Sequence, residues 1–192
     1  MQEFEFIKQL DKGENIMAKT MKRISIISLL LTICFFVLYK VTDYRFLVPF
    51  AITFGTIAYH FSIRLTIGII VDLFMHNKAD YQKKRYQVSK FEMKLYQKLK
   101  VKKWKNHMPT FDVDTFDISK HSWDEIAQAT CQSEIVHEID VIFSFVPVVF
   151  SIWFNSFWVF LITSIGGAMY DLMFVAMQRF NRTRILKMKR KK

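Results

Sequence analysis

From Val141 to Tyr170 the chain carries no charged residue, and only Asp171 interrupts the apolar run before Met177. As one straight helix this run would be roughly 55 Å long, about twice the ~30 Å hydrocarbon core of a bilayer. It has to fold back. Pro147 and the "FNSF" at 154–157 offer the turn, so the run reads as a helical hairpin with spans near 140–154 and 157–177. Two further apolar stretches precede it. Ile24 to Tyr39, "ISIISLLLTICFFVLY", carries no charge and extends to a span of about 22–41. It follows some twenty polar residues without a small-residue cleavage site, which is the pattern of an anchor and not of a removed signal peptide. A second span covers 46–71 and is interrupted by His60 and Arg64.

The flanks orient these spans, because Lys and Arg accumulate on the cytoplasmic side. The N-terminal segment has five (Lys8, Lys12, Lys19, Lys22, Arg23), the first short connection only Lys40 and Arg45, and the second none. The segment 72–140 has twelve and the C-terminal segment eight. Both termini and the middle therefore belong in the cytoplasm, at the cell membrane. The expected fold is an all-α integral membrane protein with four transmembrane helices and a cytoplasmic amphipathic helical insertion. It forms a single membrane domain over 1–192, with 72–139 as its interfacial segment.

Composition supports this reading. Twenty Phe, four Trp and seven Tyr against five Gly and three Pro are too apolar for disorder. The net charge of +11 fits nucleic acid poorly, because the basic residues flank spans and do not form a soluble face. Cys34 lies in an apolar run and Cys131 in a polar stretch, so they make no disulfide framework.

Within 81–105, "YQKKRYQVSKFEMKLYQKLKVKKWK", apolar residues recur at Val88, Phe91, Leu95 and Leu99. Ten Lys and Arg surround them with a single acid, Glu92. A basic amphipathic helix of this kind lies in the headgroup layer. Pro109, Asp112, Asp114 and Asp117 mark a loop, and a second helix starts near His121 and runs into the third span.

Several polar residues stand where hydrocarbon is expected. His60 and Arg64 share one face of the second span. Arg64 suits snorkelling and His60 a helix–helix hydrogen bond, but ionisable groups at such depth more often face a bundle interior or polar cavity. In the last span Ser164, Gly167, Asp171, Gln178 and Arg182 fall on one stripe, and Asp171 suits pairing with Arg64 inside the bundle. Gly166 and Gly167 would let another backbone come close. Glu134, His137 and Glu138 sit on consecutive turns. One Glu-x-x-His is half of a di-iron pattern whose other half the spans lack, so no metal is expected. A carboxylate beside an imidazole instead suits acid–base work, with Glu134 orienting His137; the same pair also suits a surface helix contact. No Gly-x-Ser-x-Gly nucleophile motif occurs, and His121, followed by Asp124 and Glu125, misses the His-x-x-x-x-Asp spacing of soluble acyltransferases. Asn181-Arg-Thr fits a glycosylation sequon on the wrong side of the membrane.

Taken in order, "YHFSIRLTIG" at 59–68, "KKWK" at 102–105 with Pro109, "CQSEIVHE" at 131–138, "TSIGGAMYD" at 163–171 and "QRFNR" at 178–182 resemble the glycosyl-4,4'-diaponeurosporenoate acyltransferase family. These are small bacterial membrane proteins of staphyloxanthin-type carotenoid synthesis. The resemblance runs from about 55 to 185 and departs at Thr183, where the family more often has Pro. It implies transfer of a fatty acyl group to a sugar hydroxyl of a membrane-held glycolipid, such as a glycosylated carotenoid. It implies Glu134, His137, His60 and Asp171 as catalytic, and Arg64, Lys103, Trp104, Lys105, Gln178, Arg179, Asn181 and Arg182 as substrate-binding. The donor would be acyl-CoA or an acyl-carrier protein, with no other cofactor; the partners would be the lipid acceptor and anionic headgroups. Arg179 and Arg182, with Gln178 and Asn181, would form a donor-rich rim facing Glu134 and His137. A non-enzymatic lipid-binding accessory or transporter subunit is the competing class. Another interfacial lipid-modifying enzyme, such as a methyltransferase, is a third.

Overall fold

The computed structural model describes residues 16–109 and 114–190. The expected N-terminal basic residues Lys8 and Lys12, the loop acid Asp112 and the last two lysines lie outside the described residues. Among the described residues the regular structure is entirely helical: α1 (Ile16–Thr42), α2 (Leu47–Met75), α3 (Lys90–Lys98), α4 (Val101–Trp104), α5 (Trp123–Phe143), α6 (Val146–Phe154) and α7 (Phe157–Lys189), with short 3₁₀ turns. Four segments are long and apolar enough to cross a membrane: Met17–Thr42, Leu47–Met75, Trp123–Phe154 and Phe157–Lys189. The chain divides into two compact units, one taking the described residues up to Leu65 together with Pro109, the other running from Thr66 to Met108 and from Asp114 on.

In the first unit α1 lies antiparallel to the first part of α2. The Ser25 and Ser62 hydroxyls share a 2.6 Å hydrogen bond at one end, and Phe35 stacks on Phe50 and Phe54 at 5.3 and 5.6 Å toward the other. Outward, Ile26, Ile27, Leu30 and Phe36 are exposed, an apolar coat that water would not tolerate and lipid would.

The second unit is built on the hairpin of α5–α6 against α7. Ser122 and Glu125 cap α5 reciprocally, the Ser122 hydroxyl accepting from the Glu125 N–H while the Glu125 carboxylate accepts from the Ser122 N–H. Such a pair satisfies two end donors and fixes where the helix starts. Ser144 and Phe145 interrupt the span, and Pro147 sits in the first turn of α6, where its missing N–H costs nothing. The turn expected at 154–157 is there: Asn155 takes the left-handed conformation (φ 49°), which Asn tolerates better than most residues. Contacts then descend in antiparallel order, Lys189 with Asp124, Ile185 with Ile126 and Ala127, Arg179 and Arg182 with Glu134, Asp171 with His137.

Two expectations are corrected. The basic segment 81–105 is not one helix. Residues 84–86 form a 3₁₀ turn, Ser89 caps α3, and Lys100 in the left-handed region (φ 54°) separates α3 from α4. The carbonyls of Arg85, Tyr86 and Gln87 accept from arginine side chains, so they do not propagate a helix. Gly166 faces open space, so it provides no close backbone approach.

Candidate functional site

Two polar centres lie on the α5–α7 hairpin. In the first, the Glu134 carboxylate is fully buried and takes both arginines. Arg179 Nη1 donates to Oε1 at 2.5 Å, and Arg182 Nη2 donates to Oε2. Arg179 reaches further, with Nε to Glu92 Oε1 (2.9 Å), Nη1 to the Arg85 carbonyl (3.0 Å) and Nη2 to the Gln87 carbonyl (3.1 Å). Arg182 donates through Nε and Nη2 to the Tyr86 carbonyl at 3.1 and 2.9 Å and lies over the Tyr86 ring. The planar five-donor fork of Arg suits such divergent acceptors as an ammonium does not. Glu92 and Glu134 balance Arg179 and Arg182, so the cluster is formally neutral, which makes burial tolerable.

This clasp ties residues 85–92 to α7. Burial acts to raise the Glu92 carboxyl, but the Ser89 N–H and Arg179 outweigh it and hold the group below its ordinary value. Burial pushes the Tyr86 phenol up. Beside the clasp Lys105 Nζ donates to Asn181 Oδ1 at 2.9 Å, and burial, with Arg184 nearby, pushes its ammonium down. The Trp104 indole N–H donates to the Leu99 carbonyl (3.0 Å), and its ring packs with Tyr96, Val101 and Phe180. Lys103 is exposed on α4.

The donor-rich rim is therefore corrected. Arg182 is 1% exposed, the Arg179 side chain 12%, and their donors are largely committed to protein acceptors. Gln178 and Arg182, one turn apart on α7, are buried too; Gln178 Oε1 and Arg182 Nη1 have no hydrogen-bond partner among the described residues.

The second centre lies about one turn along. His137 Nδ1 is 3.2 Å from Asp171 Oδ1 and 3.9 Å from Asp140 Oδ2. Its ring stacks on Phe174 with centroids 4.4 Å apart and planes 10° from parallel. Asp171 and Asp140 are buried, whereas the His137 side chain keeps 19% exposure. The expected Glu134–His137 pair is thus replaced by Asp171–His137, because both Glu134 oxygens are taken by arginine. The α7 stripe of Ser164, Asp171, Gln178 and Arg182 is buried as a set, as is Ser144 just past the end of α5; the Ser144 and Ser164 hydroxyls have no partner among the described residues.

Sequence reasoning passed over Asp140, although it stands three residues after His137, and Glu92, although it is the single acid of a basic segment. Ligand atoms of His137, Asp140 and Asp171 lie within 4.8 Å of one another, so this trio could hold a metal ion, drawn from two helices and hence invisible to a spacing rule. His60 and Arg64 belong to the first unit, where Arg64 Nη1 donates to the His60 carbonyl at 2.8 Å. A cavity of about 380 Å³ lined by His76, His121, Glu125 and Gln128 contains no member of either centre.

Fold and site together define a protein that is all-helical among the described residues, with four segments long and apolar enough to cross a membrane and with an arginine–glutamate clasp and a histidine–aspartate pair on one hairpin. The chain belongs to the glycosyl-4,4'-diaponeurosporenoate acyltransferase family, whose model matches residues 82–191. The match covers α3 to α7 and so contains both centres; the "YHFSIRLTIG" stretch of α2 lies before it. No curated protein and no solved structure matches the chain.

Proposed function

We propose that this protein is a membrane acyltransferase that moves a fatty acyl group from a thioester donor onto a hydroxyl of a membrane-held glycolipid. Both termini and the 72–139 segment face the cytoplasm in this reading, as the Lys and Arg asymmetry requires. The observation that carries it is the His137–Asp171 contact within a chain of this family. Asp171, accepting from Nδ1–H, leaves Nε2 as the basic nitrogen. Nε2 takes the acceptor's O–H proton as the oxygen attacks the acyl carbonyl; the C–S bond breaks and the proton passes on to the leaving thiolate. Phe174 holds the ring plane and Asp140 adds negative charge beside the imidazolium that forms. The clasp keeps the hairpin and residues 85–92 in place. Donor contacts fall to exposed basic groups such as Lys103.

Comparing intact lipid masses from cells with and without the protein tests this reading. A new acylated glycolipid supports it. Unchanged lipids at full protein level would leave a lipid-binding accessory role. Activity lost to a chelator and restored by a divalent cation would turn the His137–Asp140–Asp171 trio from a base into a metal centre.

A further inference from the structure

The α3–α4 segment has a buried face and an outer face, and α7 fixes its depth. Inward, Tyr96 and Val101 pack on Phe180 with Val88, Met93, Trp104 and Ala176. Val88 thus leaves the stripe read from the sequence. Outward, Phe91 is 76% exposed, Leu99 53% and Leu95 39%. Around them Lys83, Lys84, Lys90, Lys94, Lys98, Lys100, Lys102 and Lys103 are all exposed, and the single acid of the segment, Glu92, is spent on Arg179.

Depth follows from α7. Its apolar part, Phe157 to Met177, is roughly 31 Å long at 1.5 Å per residue, one hydrocarbon thickness. Arg179 and Asn181 come directly after it, and these two residues hold Glu92 and Lys105. The α3–α4 segment is pinned where hydrocarbon gives way to headgroups. Exposed Phe and Leu side chains ringed by lysines at that level match an anionic bilayer surface, with rings and branched chains entering the acyl boundary and ammoniums meeting phosphates.

We propose that α3–α4 is a docking platform for anionic phospholipid headgroups, clamped to the last span through Glu92–Arg179 and Lys105–Asn181. It rests on neither His137 nor Asp171, and its test leaves Lys103, the candidate donor contact, unchanged.

The full chain in detergent, titrated with phosphatidylglycerol or phosphatidylcholine and read by native mass spectrometry, tests it. The wild type should retain phosphatidylglycerol preferentially, and Lys90→Glu/Lys94→Glu/Lys98→Glu should lose that preference by tenfold or more in apparent affinity. The lysines are exposed, so the thermal midpoint should stay near the wild type's. A second measurement needs no variant: in liposomes, trypsin should cut 90–103 more slowly with phosphatidylglycerol present than in pure phosphatidylcholine, and high salt should narrow the difference. Equal retention of the two lipids by the wild type, an undiminished preference in the triple variant, or identical cleavage in both vesicles would each overturn the proposal.

Discussion

The two centres of the α5–α7 hairpin stand about a turn apart and both set carboxylates against nitrogen groups, yet they differ in commitment. In the clasp, two arginines and two glutamates cancel in charge and spend most of their hydrogen-bonding capacity on each other and on three backbone carbonyls. In the histidine centre, two buried carboxylates flank an imidazole that still has some exposure. A saturated cluster stabilises, whereas one with a partly exposed titratable ring can exchange a proton or accept a ligand. The difference teaches that charged residues deep in a helical hairpin divide by how far their partners saturate them.

The sharpest break of that contrast is a pair of variants expected to fail in different ways. Glu134→Ala leaves two guanidiniums without their shared buried anion, a loss of about 3–5 kcal/mol. Its thermal midpoint in detergent should collapse, and membrane levels should fall with it. His137→Gln should instead fold and melt like the wild type while turnover drops roughly 10²-fold or more, the scale of a lost general base. Thermal melts and a lipid-acylation assay at matched protein levels read both. A stable Glu134→Ala protein, or near-normal turnover in His137→Gln, would erase the distinction.

Much of the architecture was legible because long apolar helices write themselves into composition. The charge-free run from Val141 and the turn at 154–157 are local signals that correspond to observed features, whereas Pro147, read as part of that turn, sits instead in the first turn of α6. The α7 stripe was legible too, since helical spacing alone places Ser164, Asp171, Gln178 and Arg182 together. What spacing could not supply was which acid meets which base. Glu134 and His137 are neighbours on α5, but the choice between Glu134 and Asp171 as the histidine's partner depends on the register of α7 against α5. The break of 81–105 into turn, α3 and α4 was hidden for the same reason. It comes from Arg179 and Arg182 capturing the carbonyls of residues 85–87, a contact some ninety positions away.

A milder intervention sharpens the comparison from the clasp side. Arg179→Lys keeps the positive charge but replaces a planar fork that reaches Glu92, Glu134 and two carbonyls at once. A lysine can satisfy only some of these, so the expected loss is about 1–3 kcal/mol of stability, on the scale of charge-assisted hydrogen bonds. Turnover per folded molecule should stay near normal. Should turnover fall while the melting midpoint holds, Arg179 would regain a direct role toward the donor.

The smallest expected effect is a pH dependence carried by Glu92. Burial works to raise its carboxyl, but the Ser89 N–H and Arg179 prevail and hold it below its ordinary value. A carboxyl depressed in the folded state adds stability above its unfolded value of about 4.3, and that stability is lost as pH falls through the folded value. Protonation would also release one arm of Arg179 and loosen α3 from α7. Thermal midpoints of the wild type and Glu92→Gln should therefore differ at neutral pH, with the wild type higher, and converge as the pH drops below about 4. The difference should be small, because the Glu92 side chain is 29% exposed and solvent screens the pair. If the gap between the two proteins stays constant across that range, the Glu92 carboxylate does not help hold α3 on the clasp, and the backbone carbonyls of Arg85, Tyr86 and Gln87 suffice.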